Sequence, residues 1–131
     1  MSTLAYLDSS ALVKLVFEER ESDALIEFLL PLDWISSALT RVEVLRSARR
    51  SGVDGAVARA QHVLSRMNFV RLDDAILAAA AGTEPRDLRS LDALHLVSAL
   101  SLGPNLDGIV VYDRRLADAA RHAGLTIWAP A

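Results

Sequence analysis

The stretch DGIVVYDRRLADAARHAGLTIWA, residues 107–129, decides the fold class. Residues 107–113 form the clearest strand pattern in the chain, a short apolar run that ends on an acid. An amphipathic helix pattern follows and closes on Gly124, and LTIWA (125–129) predicts another strand. Two such strands joined by a helix lie parallel in one sheet, connected by a right-handed crossover.

The same alternation of strand and helix patterns runs through the rest of the chain. Strands are predicted at residues 4–8, 33–37 and 69–72, and helices at residues 10–19, 21–30, 38–50, 53–67, 74–82 and 90–102. This order predicts an α/β fold, a three-layer sandwich with a mostly parallel central sheet flanked by helices. We find no repeat or linker, so one domain is expected to span residues 1–131.

The composition narrows the class of protein. The chain has 131 residues, of which 52% are hydrophobic, and this favours a compact core over disorder. No apolar run reaches the roughly 18 residues that cross a bilayer, and MSTLAYLDSS lacks the basic start of a signal peptide. We therefore expect a cytoplasmic protein. With no cysteine, only oxygen and imidazole ligands could hold a metal.

The charge balance limits how a nucleic acid could bind. A formal net charge of −3 argues against binding through bulk charge, so a polyanion would have to meet a local basic patch. All basic residues except Lys14 are arginines, whose planar guanidinium groups suit phosphate. Arginine richness also fits a GC-rich genome, and both interpretations stay open.

Four acids occupy positions where this fold binds ligands, beyond the carboxyl ends of its strands. Asp8 and Asp113 close two strands, and Glu43 and Asp92 are predicted in the first turns of two helices. Each has a simpler interpretation alone. Asp8 and Asp113 could cap helices, Thr40 to Glu43 fits a capping box, and Asp92 could complement a helix dipole.

Together the four acids suggest a metal site. Their neighbours are apolar, and carboxylates gathered in a partly buried cleft repel one another unless a cation lies between them. Mg²⁺ and Mn²⁺ take oxygen ligands, and such ions support phosphodiester hydrolysis. The alternatives are a non-catalytic protein-binding module and another acid-site phosphohydrolase. A haloacid-dehalogenase-type phosphatase needs an Asp where Ser10 stands, and a receiver domain needs a late lysine that this chain lacks.

Four motifs, in order, carry a family resemblance: YLDSSALVKL (6–15), SALTRVEVLR (37–46), SLDALHLVSAL (90–100) and VVYDRRLADAARHAG (110–124). Through them essentially the whole chain resembles the PIN-domain ribonucleases, and among these the VapC-type toxins of type II toxin–antitoxin pairs. The resemblance implies a PIN-like fold and a Mg²⁺- or Mn²⁺-dependent endoribonuclease.

The same resemblance implies which residues form the catalytic and metal site, namely Asp8, Glu43, Asp92 and Asp113. Asp8 and Asp92 are expected to hold the metal, while Asp113 and Glu43 complete its surroundings. Val111 stands where family members often carry Ser or Thr, so a hydroxyl that could orient a ligand or water is missing.

Other polar residues are candidates for supporting roles. Ser9, Arg46 and Arg114 are possible substrate contacts, although a helix cap or a solvated helix face would also explain them. His95 shares a helix face with Asp92, and it is either a metal ligand or a histidine satisfied by a neighbouring carboxylate.

The resemblance also implies partners. These are an RNA substrate, a second copy of the chain, and a cognate antitoxin that covers the helices of residues 9–30 and the acidic cleft. DNA would be bound only through the antitoxin, and no membrane is involved. The first two helices carry apolar residues that form either a thick core or a groove for a partner helix: Leu12, Leu15, Val16, Phe17, Leu25, Phe28 and Leu29.

Overall fold

In the computed structural model, which describes residues 2–131, five short strands alternate with seven α-helices. The strands are β1 (Leu4–Leu7), β2 (Asp33–Ser37), β3 (Asn68–Val70), β4 (Gly108–Val110) and β5 (Ile127–Trp128). The helices are α1 (Ser9–Val16), α2 (Ser22–Leu29), α3 (Ala38–Ser51), α4 (Ala56–Ser65), α5 (Asp74–Ala81), α6 (Ser90–Leu100) and α7 (Arg114–His122).

The strands form one parallel sheet in the order β3-β2-β1-β4-β5. Ala5 at the centre of β1 pairs with Trp34 on one side and Gly108 on the other. The chain leaves β1 toward β2 but leaves β4 toward β5, so the connections diverge between β1 and β4. This divergence opens the crevice in which doubly wound sheets bind ligands. The predicted α/β sandwich with a parallel sheet is confirmed.

Two apolar layers cover the sheet, because successive side chains of β1 face opposite sides. Ala5 and Leu7 belong to a cluster with buried residues of α1, α2, α3 and α4. Tyr6 belongs to a second cluster with Ile109 and with residues of α6 and α7. The carboxyl ends of the strands are therefore held between two packed helical layers.

The apolar residues of the first two helices serve the core. Leu12, Val16, Leu25 and Leu29 are buried, while the other apolar residues of that set pack against the same cluster. The packing favours the thick-core interpretation over a partner groove built from these residues. On α2 the exposed large apolar side chain is that of Ile26.

The predicted start of α3 at residue 38 is confirmed, but its N-cap differs from the predicted capping box. Ser37 is the N-cap and its hydroxyl accepts from Leu39 N at 3.1 Å, so the helix begins at Ala38. The hydroxyl of Thr40 instead bonds Ser36 Oγ at 2.7 Å inside the protein. The capping box from Thr40 to Glu43 is therefore wrong, and Glu43 lies in the second turn rather than the first. Its carboxylate is free for another role.

Two boundaries differ, for local reasons. Helix α1 ends at Val16 instead of continuing to Glu19, because the Ser22 hydroxyl lies against the carbonyl oxygens of Lys14 (2.6 Å) and Phe17 (3.1 Å). The last helix ends at His122, and Gly124 follows with φ +91°, a left-handed conformation that favours glycine. Within residues 2–131 no helix is both long enough and apolar enough to span a membrane.

Candidate active site

Asp8 lies where β1 meets α1, beside the end of β4. Its backbone N–H donates to Val110 O at 3.3 Å. The carboxylate is 4% exposed, and Oδ1 accepts from Ala11 N at 2.9 Å and from Ser10 Oγ at 2.7 Å. Oδ2 accepts no hydrogen bond within residues 2–131. Within those residues, Ser98 Oγ is the only fully buried side-chain nitrogen or oxygen that lacks a hydrogen-bond partner. Asp8 Oδ2 also lacks a partner, so it is not fully buried and contacts solvent. Asp8 is thus both a helix cap and a group with one oxygen available.

Asp113 occupies the matching position at the end of β4. Its Oδ2 accepts from Leu116 N at 2.9 Å and caps α7, while its side chain is exposed. Both strand-end acids are therefore caps, as the simpler interpretation expects. Capping uses only one oxygen of each carboxylate, so it does not exclude a second role.

The pKa values show that the acids influence one another. Burial raises the pKa of Asp8 against the hydrogen bonds from Ser10 and Ala11, and the charge of Asp113 raises it further. Asp92 lies in the first turn of α6 and is half-buried. Burial and then the charge of Asp113 raise its pKa, and Glu43 adds a smaller contribution in the same direction. A divalent cation would relieve this repulsion.

Glu43 is held differently. Its Oε1 accepts from Ser9 Oγ and lies 3.0 Å from His95 Nε2. Partial burial would raise the pKa of Glu43, but the hydrogen bonds from His95 and Ser9 outweigh it and lower the pKa. Glu43 is therefore ionised. Its Oε2 accepts no hydrogen bond in the described part of the chain.

An open cleft of about 680 Å³ lies beside this edge and is lined by Glu43 and Asp113, whereas Asp8 and Asp92 do not line it. One wall comes from residues of α1 between Ser9 and Lys14, and another from Glu43, Ser47 and Arg50, which share one face of α3. Lys14 lies on the first wall, where its Nζ is 3.2 Å from Glu21 Oε2. Arg50 is therefore a cleft-lining cation that makes no ion pair with another side chain of residues 2–131.

The predicted supporting residues fall in different places. Ser9 lines the cleft and bonds Glu43, whereas Arg46 and Arg114 are exposed and do not line it. The structure thus shifts the arginine on α3 from Arg46 to Arg50. Spacings of four and seven residues from Glu43 would have identified Ser47 and Arg50, since these positions share its helix face. Val111 is buried in the apolar layer under α6 and α7.

His95 is satisfied by a carboxylate, but by Glu43 rather than by Asp92 on its own helix. Its other ring nitrogen, Nδ1, lies 2.8 Å from the Tyr6 hydroxyl. His95 is 3% exposed. Both ring nitrogens are therefore engaged, and neither is available to a metal.

The donor chemistry fits a hard divalent ion that keeps much of its water. Within residues 2–131, no three carboxylate or imidazole side chains converge into a complete ligand set by themselves. The edge offers oxygen donors instead: Asp8 Oδ2, the uncapped oxygen of Asp113, and Asp92. Mg²⁺ and Mn²⁺ are commonly held by one or two carboxylates, with water and substrate phosphate in the other positions.

Comparison with known proteins gives consistent matches. The family model described as PIN domain matches residues 5–122. Ribonuclease VapC46 of Mycobacterium tuberculosis is 42% identical over 126 residues, which cover 95% of this chain and 96% of that protein.

Two solved structures share the fold. One is M. tuberculosis VapC20, a sarcin–ricin loop cleaving toxin, with a TM-score of 0.72, 17% identity, and coverage of 96% of this chain and 99% of that chain. The other is VapBC2 from Rickettsia felis bound to a promoter DNA fragment, with a TM-score of 0.71, 13% identity, and coverage of 98% and 100%.

Proposed function

Because the chain belongs to the PIN-domain family, we propose that it is a Mg²⁺- or Mn²⁺-dependent endoribonuclease. In this proposal residues 1–131 form a single nuclease domain that acts as the toxin of a type II toxin–antitoxin pair. The resemblance to ribonuclease VapC46 over nearly the full length of both chains supports the RNA-hydrolysing activity. The arrangement around Asp8 supports the metal dependence.

The observation that carries the proposal is the state of Asp8. It is buried at the divergence of β1 and β4, one oxygen is fixed by hydrogen bonds, and its other oxygen is available. A purely structural cap gains nothing from having Asp113 nearby, since that charge disfavours its ionised form. A cation bound at this edge would stabilise the ionised forms of both carboxylates.

Each acid then has a role that its contacts allow. Asp8 and Asp92 would hold the ion, and Asp113 would complete its surroundings, since only one of its two oxygens is used to cap α7. When bound, the ion supplies Lewis-acid chemistry that offsets charge on the phosphate and the leaving oxygen. Oε2 of Glu43 accepts a hydrogen bond from the attacking water and orients it. In-line attack then leaves 5′-phosphate and 3′-hydroxyl ends.

The RNA backbone requires cations along the cleft. We assign the phosphate contact on α3 to Arg50, because it lines the cleft and no side-chain ion pair occupies it. Arg114 follows Asp113 directly and is a second candidate, and Ser9 acts through its bond to Glu43. Guanidinium groups suit phosphate because they present several donors in one plane.

The partners in the proposal follow from the relatives. The solved structures that share this fold include a VapBC complex on promoter DNA. We propose that a cognate antitoxin covers the region of residues 9–30 and the acidic cleft and blocks cleavage. The toxin would act as a homodimer in the cytoplasm, where its RNA is found, and would meet DNA only through the antitoxin.

The test is cleavage of total RNA by the purified protein, with Mn²⁺ or with a chelator. We expect discrete fragments with Mn²⁺ alone, and their loss in Asp8→Asn. Calorimetric titration with Mn²⁺ separates the enzyme from a protein-binding module, because helix caps bind no metal saturably. Cleavage that persists in the chelator, or in Asp8→Asn at the wild-type rate, would contradict the proposal.

A further inference from the structure

A chain of buried hydrogen bonds runs from the middle of the sheet to the edge of the cleft. The Tyr6 hydroxyl lies 2.8 Å from His95 Nδ1, and His95 Nε2 lies 3.0 Å from Glu43 Oε1. The three residues belong to β1, α6 and α3, so these hydrogen bonds link α3 to the helix that carries Asp92 and to the strand that Asp8 follows. We propose that His95 is a positioning residue that holds Glu43 for RNA hydrolysis, an inference that rests on the function proposed above.

The direction of the hydrogen bonds follows from the end groups. The Tyr6 phenol carries a proton at neutral pH, so it donates to Nδ1, which lies 2.8 Å away. The Glu43 carboxylate can only accept, so Nε2 carries the imidazole proton and donates to Oε1. Tyr6 thereby selects the tautomer of His95 that can bond Glu43. Histidines in metal sites are commonly oriented by such a second hydrogen bond.

The consequence for Glu43 is a fixed carboxylate. Both His95 and Ser9 bond the same oxygen, Oε1. Rotation of the carboxylate would break both bonds, so the position of Oε2 is fixed as well, in a residue that lines the cleft. Tyr6 and His95 are too buried for water to replace their contacts, since they are 0% and 3% exposed.

Stability alone does not require this arrangement. Replacing both members of a buried hydrogen-bonded pair by apolar groups of similar shape can be nearly neutral for folding, whereas removing one partner leaves the other unsatisfied. The two effects can therefore be separated. A double substitution can restore the fold without restoring the contact to Glu43.

The experiment compares substitution variants for kcat and KM on an RNA substrate with Mn²⁺ and for thermal unfolding. His95→Leu should lower kcat by about 10- to 100-fold, the usual effect of losing a residue that orients a metal-site group, with KM little changed. His95→Gln places an amide donor near the position of Nε2 and should recover most of the loss. His95→Asn instead places a polar group near the position of Nδ1, so it can keep the hydrogen bond with Tyr6 but not the one with Glu43. Its kcat should stay as low as that of His95→Leu.

The decisive variant is Tyr6→Phe/His95→Leu. Its melting temperature should return toward the wild-type value, because neither buried group is then unsatisfied, while kcat stays as low as in His95→Leu. In a Glu43→Gln background, His95→Leu should lower kcat little further, because His95 acts through Glu43. His62→Leu, an exposed histidine on α4, is the control and should match wild type.

Three results would overturn the inference. These are wild-type kcat in His95→Leu, equal recovery by Asn and Gln, or a double variant whose activity returns together with its stability. A wild-type protein that cleaves no RNA with Mn²⁺ would remove the proposed function and this inference with it. Wild-type cleavage with unaffected His95 variants would remove the inference alone.

Discussion

Asp8→Asn separates the structural and the catalytic roles of one side chain. Asparagine keeps the oxygen that accepts from Ala11 N at 2.9 Å and from Ser10 Oγ at 2.7 Å. Asn and Asp are about equally good N-caps, so the change at the cap costs at most a few tenths of a kcal/mol. The substitution also removes a charge whose ionised form is disfavoured by burial and by Asp113. Without metal at pH 7, the free energy of unfolding should therefore be unchanged or higher.

The effect on activity should be opposite and large. An amide oxygen carries no charge and is a poorer ligand for a hard divalent ion than a carboxylate oxygen. Loss of a residue that hydrogen-bonds a metal ligand typically lowers metal affinity or activity by about 10- to 100-fold. Loss of a ligand should therefore lower cleavage by more than about 100-fold. Asp8→Ala, which also loses the cap, should cost about 1 kcal/mol in the free energy of unfolding as well.

The assays are urea unfolding without metal and RNA cleavage with Mn²⁺. Asp73→Asn is a matched control, because Asp73 caps α5 through a bond from Ile76 N at 2.9 Å but is exposed and does not line the cleft. It should retain both stability and activity. The reasoning would be refuted if Asp8→Asn unfolded more easily by 2 kcal/mol or more, or if it cleaved RNA at the control rate.

Three further outcomes are expected. Arg50→Ala should weaken RNA binding and reduce the slope of log K against log salt by about 0.7, as expected for one lost phosphate contact on single-stranded RNA. Arg46→Ala on the same helix should change neither, and equal effects would reject the cleft assignment. Mn²⁺ at 100 times its Kd should raise the free energy of unfolding by about 2.7 kcal/mol, and the gain should disappear in Asp8→Asn. Because burial raises the pKa of Asp8, the folded protein binds a proton more tightly than the unfolded chain. Metal-free stability should therefore fall as the pH rises through that raised pKa, and Asp8→Asn should flatten this slope in urea titrations at several pH values.

The strands and the strand-end acids could be predicted because their signals are local. Short apolar runs end on Asp8 and Asp113, and parallel strands bring such ends to one edge. The residue that caps α3 could not be chosen by the same means. Ser37 and Thr40 are both acceptable caps in sequence, and only the buried partner of Thr40, Ser36, decides between them.

The network around His95 lay beyond sequence reasoning for a different reason. Helix spacing pairs His95 with Asp92, but its carboxylate partner is Glu43, 52 residues away and on another helix. Such a contact depends on where the fold places α3 and α6 relative to each other at the end of the sheet. Arg50 could have been predicted from helical spacing, because it lies on the same face of α3 as Glu43. Arg46 lies on the same helix but does not line the cleft.

The most direct test of the metal site is an anomalous diffraction measurement on crystals soaked with Mn²⁺. We expect a peak at the divergence of β1 and β4, within direct coordination distance of Asp8 Oδ2, with Asp92 or Asp113 as a further ligand or linked through water. Asp8→Asn crystals treated in the same way should lose that peak. A peak elsewhere on the surface, or none at saturating Mn²⁺, would contradict the proposal that these carboxylates share a divalent ion.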